Sequence, residues 1–146
     1  MKVKDIMTKE PTTVTPNATV REAASLMQRE DTGILPVVEG GSKKLLGVIT
    51  DRDIAIRVVA EGRDASTPVS EVMSKGRLVT LQPDAGVEDA MEKMADEQVR
   101  RIPIVDDRST LLGIVAQADI VRKVRDDRKA ERTVEKISEP SRRHAQ

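Results

Sequence analysis

Gly47-Val48-Ile49-Thr50-Asp51-Arg52-Asp53-Ile54 decides how this chain is read. Leu45, Leu46, Val48 and Ile49 are the apolar or β-favouring end of a buried strand, and Asp51 to Ala60 continues at helical spacing. Thr50 stands at the junction, three residues before Asp53, the hydroxyl and carboxylate arrangement of a capping box. Two readings are open. In one, both side chains serve only to tie up the free backbone N–H groups of a helix start; in the other, that helix start, with Arg52 beside it, holds a phosphorylated ligand.

The 146 residues suffice for one domain, or for two small lobes sharing a core. Basic and acidic residues cancel at 25 each, so no global pull toward nucleic acid is implied. The charge is uneven, however: residues 122–146 hold nine Lys/Arg against five acids, a net +4, which leaves residues 1–121 at −4. There is no cysteine, hence no disulfide or thiolate chemistry. Without Phe, Trp or Tyr the core must be aliphatic plus Met, and no aromatic platform can stack a base. The single histidine, His144, lies in a polar tail, which argues against histidine catalysis or metal ligation within the fold. Met1 to Met7 lacks the apolar centre of a signal peptide, and no run reaches the roughly 18 apolar residues of a membrane span. A soluble cytoplasmic protein is expected.

In chain order, Met1 to Thr8 is a leading segment in which Val3, Ile6 and Met7 can pack. Thr12 to Thr15 reads as a short strand closed by Pro16, and Asn17 to Asp31 as a helix capped by Thr19 with Glu22. Its apolar stripe is Val20, Ala23, Ala24 and Met27, and Gly33 ends the segment. Ile34 to Val38 is a buried strand whose Pro36 belongs at its start or on an edge, Glu39 to Ser42 supplies a turn, and Leu45 to Ile49 returns as a hairpin. The helix from Asp51 is expected to end near Gly62, and residues 63–68 form a linker.

The pattern then starts again. Val72-Met73-Ser74 echoes Ile6-Met7-Thr8 at an offset of 66, and Gln82-Pro83-Asp84-Ala85-Gly86-Val87 echoes Thr15 to Val20 at 67. Val87, Ala90, Met91 and Met94 repeat the helix stripe, Ile102-Pro103-Ile104-Val105 repeats Leu35 to Val38, and Leu112-Gly113-Ile114-Val115 with Asp119 repeats Leu46 to Ile49 with Asp53. A constant offset sets the architecture before any other signal. Each half is strand–helix–strand–strand–helix, about 60 residues and small for an independent core. Two such units should pack their sheets into one pseudo-twofold α/β body. In each of its two clefts, the loop at Thr50 or Ala116 meets the loop before Pro36 or Pro103.

Ile-Met-Thr, Thr-Pro, Gly-Ile-Leu-Pro-Val-Val and Leu-Gly-Val-Ile-Thr-Asp-Arg-Asp-Ile, in that order and duplicated, resemble the CBS domain, two of which in tandem make a Bateman module. The resemblance covers about residues 1–124, with repeat 1 at 1–62, a linker at 63–68, repeat 2 at 69–124 and a charged tail at 125–146. The chain is similar to small stand-alone bacterial two-repeat proteins of the hypoxic-response type and to the regulatory insert of inosine-monophosphate dehydrogenases. The resemblance implies a disc-shaped dimer and a sensor of adenosine compounds (AMP, ADP, ATP or S-adenosylmethionine). It implies that Asp53, and in the second repeat Asp119, takes the ribose hydroxyls, with Thr50 and Arg52 near phosphate or ribose. Thr15, Pro16, Val20, Ile34, Leu35 and Pro36 would border the ligand, and Arg100 and Arg101 match positions that touch phosphate in some relatives. The chemistry agrees: a carboxylate can accept both ribose hydroxyls, arginine suits an anion, and adenine can lie between aliphatic side chains.

The second repeat departs from this pattern. Ala116 fills the threonine slot, Ala118 precedes Asp119, Gln82 stands at Thr15's place and Gly86 at the cap Thr19's. The site around Thr50 and Asp53 is therefore expected to be the better one. Plainer readings stand beside these: Asp53 and Asp119 as first-turn acids favoured by the helix dipole, one of Arg100 and Arg101 as solvated, the six methionines as mostly packing residues, Pro36 and Pro103 as strand-start features. From Ile120 onward, apolar residues at 120, 121, 124, 130, 134 and 137 predict a continuing helix with a weak stripe that frays before Pro140 and could serve a dimer.

The function expected is a non-catalytic adenine-nucleotide sensor, working as a homodimer and reporting occupancy to a regulated protein. The alternative is a ligand-free scaffold for protein–protein contact. No cofactor, membrane association or enzyme constellation is expected, and nucleic-acid binding is a distant option tested by salt-dependent retention on duplex.

Overall fold

The computed structural model describes residues 1–76 and 78–138, with side chains through residue 133. The strands are β1 (Thr8–Lys9), β2 (Ile34–Val38), β3 (Leu45–Thr50), β4 (Arg101–Val105) and β5 (Leu111–Ala116). The helices are α1 (Val20–Glu30), α2 (Asp51–Ile54), α3 (Val87–Glu97) and α4 (Gln117–Ser138). Val3–Asp5 and Val69–Glu71 form single 3₁₀ turns at equivalent places in the two halves. Pro140 and His144, the fraying of the tail, and the side chains at 134 and 137 lie outside the described residues.

α1 forms as its cap foretells. Thr19 Oγ1 accepts the Glu22 N–H at 3.1 Å, and the Glu22 carboxylate accepts the Thr19 N–H at 3.3 Å. The helix is shorter than the expected span from Asn17 to Asp31, because Thr19 is the cap and Asp31 closes it in the left-handed region, φ 51°. Val20, Ala23 and Met27 are buried, whereas Ala24 is exposed. The second-half counterpart α3 has Gly86 at its N-cap, with no side-chain cap; its Val87 N–H donates to the Met1 carbonyl at 3.1 Å, as the Val20 N–H of α1 does to the Thr67 carbonyl at 2.9 Å.

Thr12 to Thr15 is not an extended strand. Only Val14 pairs, in a parallel bridge to Val37, and Leu81 does the same with Ile104. These bridges explain the prolines. Pro36 lies at the middle of β2, not its start, opposite Val48, and its carbonyl accepts the Val14 N–H at 3.1 Å. A strand residue's N and C=O point the same way, so the missing N–H of Pro36 faces Val14 and removes nothing from the ladder to β3. Pro103, opposite Ile114 with its carbonyl accepting the Leu81 N–H at 3.2 Å, repeats the arrangement.

The leading segments are exchanged between halves. β1 pairs with β5, giving a sheet ordered β1-β5-β4, and Val3 N–H donates to Ala85 in the second half at 2.9 Å. Reciprocally, Ser74 bridges Val48 of β3, and Val69 N–H donates to Ala18 in the first half at 2.8 Å. Val69, Val72 and Met73 therefore complete the core of the first half, and Val3 that of the second. Gly47 and Gly113 are required here by proximity: a Cβ would lie 2.6 Å from the Ser74 carbonyl oxygen at Gly47 and 2.7 Å from the Thr8 carbonyl oxygen at Gly113.

Where the two hairpins meet, Lys44 bridges Thr110, Leu45 N–H donates to Ser109 and Leu111 N–H to Lys43, each at 2.9 Å. A third apolar cluster of Val38, Leu45, Val105 and Leu111, with Leu78 against it, sits at this junction. Its members are related by the repeat offset, so they mark the pseudo-twofold axis.

Candidate ligand cleft between the two halves

The stretch Gly47 to Ile54 folds as the strand-to-helix junction its sequence predicts. Thr50 Oγ1 accepts the Asp53 N–H and Asp53 Oδ2 accepts the Thr50 N–H, both at 3.0 Å. The protein makes further use of this carboxylate. Ser74 Oγ donates to it at 3.2 and 3.3 Å, and Arg57 Nε lies 3.9 Å from Oδ1. Arg57 also donates to the Val72 and Met73 carbonyls at 3.3 and 3.4 Å. Past Ile54 the helix widens to a π turn over Ala55–Val59, in place of the regular helix expected to Gly62. Asp53 is thus a buried clamp that fastens the exchanged segment to α2.

Its repeat-mate is arranged differently. Ala116 has no hydroxyl, and among the described residues the partner of Asp119 is Arg122, at 3.5 Å. The Asp119 side chain is 32% exposed, against 10% for Asp53. It lines a cleft of about 420 Å³ together with Ile34, Leu35 and Pro36 and with Thr8, Thr12 and Ile114. Arg101 and Arg122 border the same space, and so do Glu10 and Glu30.

The first-half strand and the second-half helix start therefore share one cleft. Ile34, Leu35, Pro36, Arg101 and Asp119 are brought together, whereas Thr50, Arg52 and Asp53 are not among its lining residues. Ile34 and Leu35, expected to border a ligand, line the cleft that holds Asp119. Val20 is only 2% exposed and packs in the first-half core, and its N–H donates to Thr67, so it presents no face to a ligand. Thr15 is exposed, and the Pro16 carbonyl is occupied by the Ser70 N–H at 3.0 Å. Arg52 is exposed. Arg100 is exposed beside an adjoining groove of about 590 Å³.

Sequence reasoning missed Thr8, Thr12 and Arg122. Arg122 was findable, since it stands three residues after Asp119 on one helix face. Thr8 was not, because only the exchange of leading segments carries it to Asp119's side.

Residues 3–60 and 69–126 each match the CBS domain. The chain belongs to the CBS-domain family. The CBS domain-containing protein YhcV of Bacillus subtilis is 54% identical over 118 residues, 81% of each chain. Hypoxic response protein 1 of Mycobacterium tuberculosis is 34% identical over 119 residues, 82% of each. Among solved structures, the CBS domain pair of protein MJ0100, in complex with 5′-methylthioadenosine and S-adenosyl-L-methionine, superimposes with a TM-score of 0.75 at 31% identity, covering 87% of this chain and 98% of that one. CBSX2 in complex with AMP gives a TM-score of 0.75 at 25% identity with the same coverage. Among the described residues of this CBS pair no helix is long and apolar enough to cross a membrane.

Proposed function

We propose that this CBS pair is a non-catalytic regulatory module that takes an adenosine-containing ligand in the cleft between Ile34–Pro36 and Asp119. The observation that carries the reading is the Asp119 carboxylate, which lines a cleft together with aliphatic side chains and is met, among the described residues, by Arg122 alone. A ribose presents two hydroxyl donors to such a group, and adenine suits the aliphatic wall. Related CBS pairs crystallised with 5′-methylthioadenosine, S-adenosyl-L-methionine and AMP support the ligand class. Because the lining comes from both halves, ligand favours one relative orientation of the repeats by its differential affinity, and a homodimer relays that shift to a regulated protein.

This places the preferred site at Asp119, contrary to the ranking drawn from the sequence. Titration calorimetry with AMP, ADP, ATP and S-adenosylmethionine tests it. At least one should bind, and Asp119→Ala should weaken it by about tenfold or more, on the order of 1.4 kcal/mol. No binding down to millimolar affinity would sink the sensor reading. A second reading, a ligand-free scaffold, draws on the Asp53 carboxylate being used by the protein itself; protein partners captured equally with and without nucleotide would favour it.

A further inference from the structure

We infer that two copies of this chain join like half to like half, with an arginine stripe of α4 lying along an acid stripe of the partner subunit's α3. The inference rests on the homodimer reading above and names its surface and its orientation. A groove of about 690 Å³ is lined by Met91 of α3 and by Ile120, Val121 and Val124 of α4. Its charged lining, Arg125, Arg128, Lys129 and Arg132, contains no acid. Arg125, Arg128 and Arg132 follow one another at spacings of three and four, so they share one side of α4. On α3, Glu88, Glu92 and Asp96 form a second stripe at four-residue spacing, and all three are exposed. Among the described residues none of these six enters an ion pair. The second half thus carries a cationic and an anionic stripe, and a twofold axis lets each meet its opposite on a second copy. The chain's own residues 139–146 do not suit the groove, since they hold Arg142 and Arg143 against Glu139.

The first half decides the orientation. At the repeat offsets, Glu88, Glu92 and Asp96 correspond to Arg21, Ser25 and Arg29, and Arg125 corresponds to Val59. At these positions α1 has no acid, and both of its arginines are exposed. The first half's exposed large apolar side chains are Met1, Ile56 and Val59, and the last two are 44% and 71% exposed. The repeat makes α1 the counterpart of α3. Set against the unlike half, the α4 arginines would therefore meet Arg21 and Arg29, cation on cation, while Ile56 and Val59 would be buried against charge. Set like to like, opposite charges join the second halves and aliphatic burial joins the first.

The chain has no cysteine, so a single introduced cysteine reports the contact without background. The test is sedimentation of the full chain at two ionic strengths, with cross-linking of Val59→Cys and Val121→Cys by a short bis-maleimide. Both positions are exposed, and a thermal melt checks that each variant folds. A dimer is expected, loosening as salt screens the exposed stripes. Each cysteine variant should link to its own kind, and an equimolar mixture should add no links between the two. Arg128→Glu should weaken the dimer at least tenfold, and adding Glu92→Arg to the same chain should restore it. Links confined to the mixture, or an Arg128→Glu variant that dimerises as tightly as the parent or more so, would overturn the inference and leave the homodimer reading standing. A parent chain that stays monomeric up to millimolar concentration removes both.

Discussion

Two aspartates at equivalent positions do different work because different groups reach them. Thr50 and Ser74 surround Asp53 with donors and draw its carboxylate inward. Among the described residues Asp119 is met by Arg122 and lines the cleft. Asp53→Ala should accordingly act on stability, lowering it by about 1–2 kcal/mol through loss of the cap and its partners, as thermal melts would record. Asp119→Ala should leave the melting temperature nearly unchanged and act on ligand. An exposed contact near the chain's start is sensitive to acid. Lys4 donates to Asp84, with Lys2 also near, and this holds the Asp84 carboxyl below its usual range; the same contact raises Lys4 above the ordinary lysine value. With the folded carboxyl depressed, the clamp is intact above the unfolded value of about 4 and is lost as pH falls through the folded one. Hydrogen exchange at Val3 and Lys4 should therefore quicken on acidification below about pH 4. In Asp84→Asn that dependence should disappear.

At the scale of elements, the hairpins are set by where each strand's unpaired edge points. Pro36 and Pro103 occupy mid-strand positions whose N–H would face a lone parallel bridge. Gly47 and Gly113 let an exchanged segment cross within van der Waals distance of β3 and β5. Gly113→Ala would push Cβ against the Thr8 carbonyl oxygen and the Met7 sulfur, both at 2.7 Å. A loss of about 1–3 kcal/mol is expected, with exchange protection failing first at Met7 to Lys9. Full protection there with an unchanged melt would remove close approach as the reason for the glycine. The turn between β4 and β5 is held by Asp106, which accepts the Thr110 and Arg108 N–H groups at 2.9 Å each; these bonds lower its pKa and order the strand end that bridges Lys44.

At the scale of the molecule, neither half closes its core alone. Val3 is fully buried in the second half although it is third in the chain, and Val69 and Val72 are fully buried in the first. Val3→Ala should destabilise by about 2 kcal/mol, and deleting residues 1–9 should expose the second-half core while the first half keeps its packing. Exchange mass spectrometry resolved by peptide would read this, and equal loss in both halves would contradict it. A cleft lined by both halves also couples ligand to folding: at a hundredfold excess over Kd, about 2.7 kcal/mol of added stability is expected, visible as a raised melting temperature.

Read from the residues, the capping boxes at Thr19 and Thr50, the hairpins at 34–50 and 101–116 and the duplicated pattern are local properties, and they formed as the sequence indicates. Capping, alternation and offset depend on neighbours within a few positions or on comparison along the chain, so one sequence suffices to see them. Which carboxylate meets which wall is a different kind of fact. Ile34 and Asp119 are 85 residues apart, and they line one cleft only because leading segments exchange and the hairpins join at Lys44 and Thr110. Composition carries no sign of that choice. The missing threonine at Ala116 reads as decay along the chain, yet in three dimensions the neighbouring Asp119 lines the shared cleft and pairs with Arg122, because only packing shows which groups reach each carboxylate.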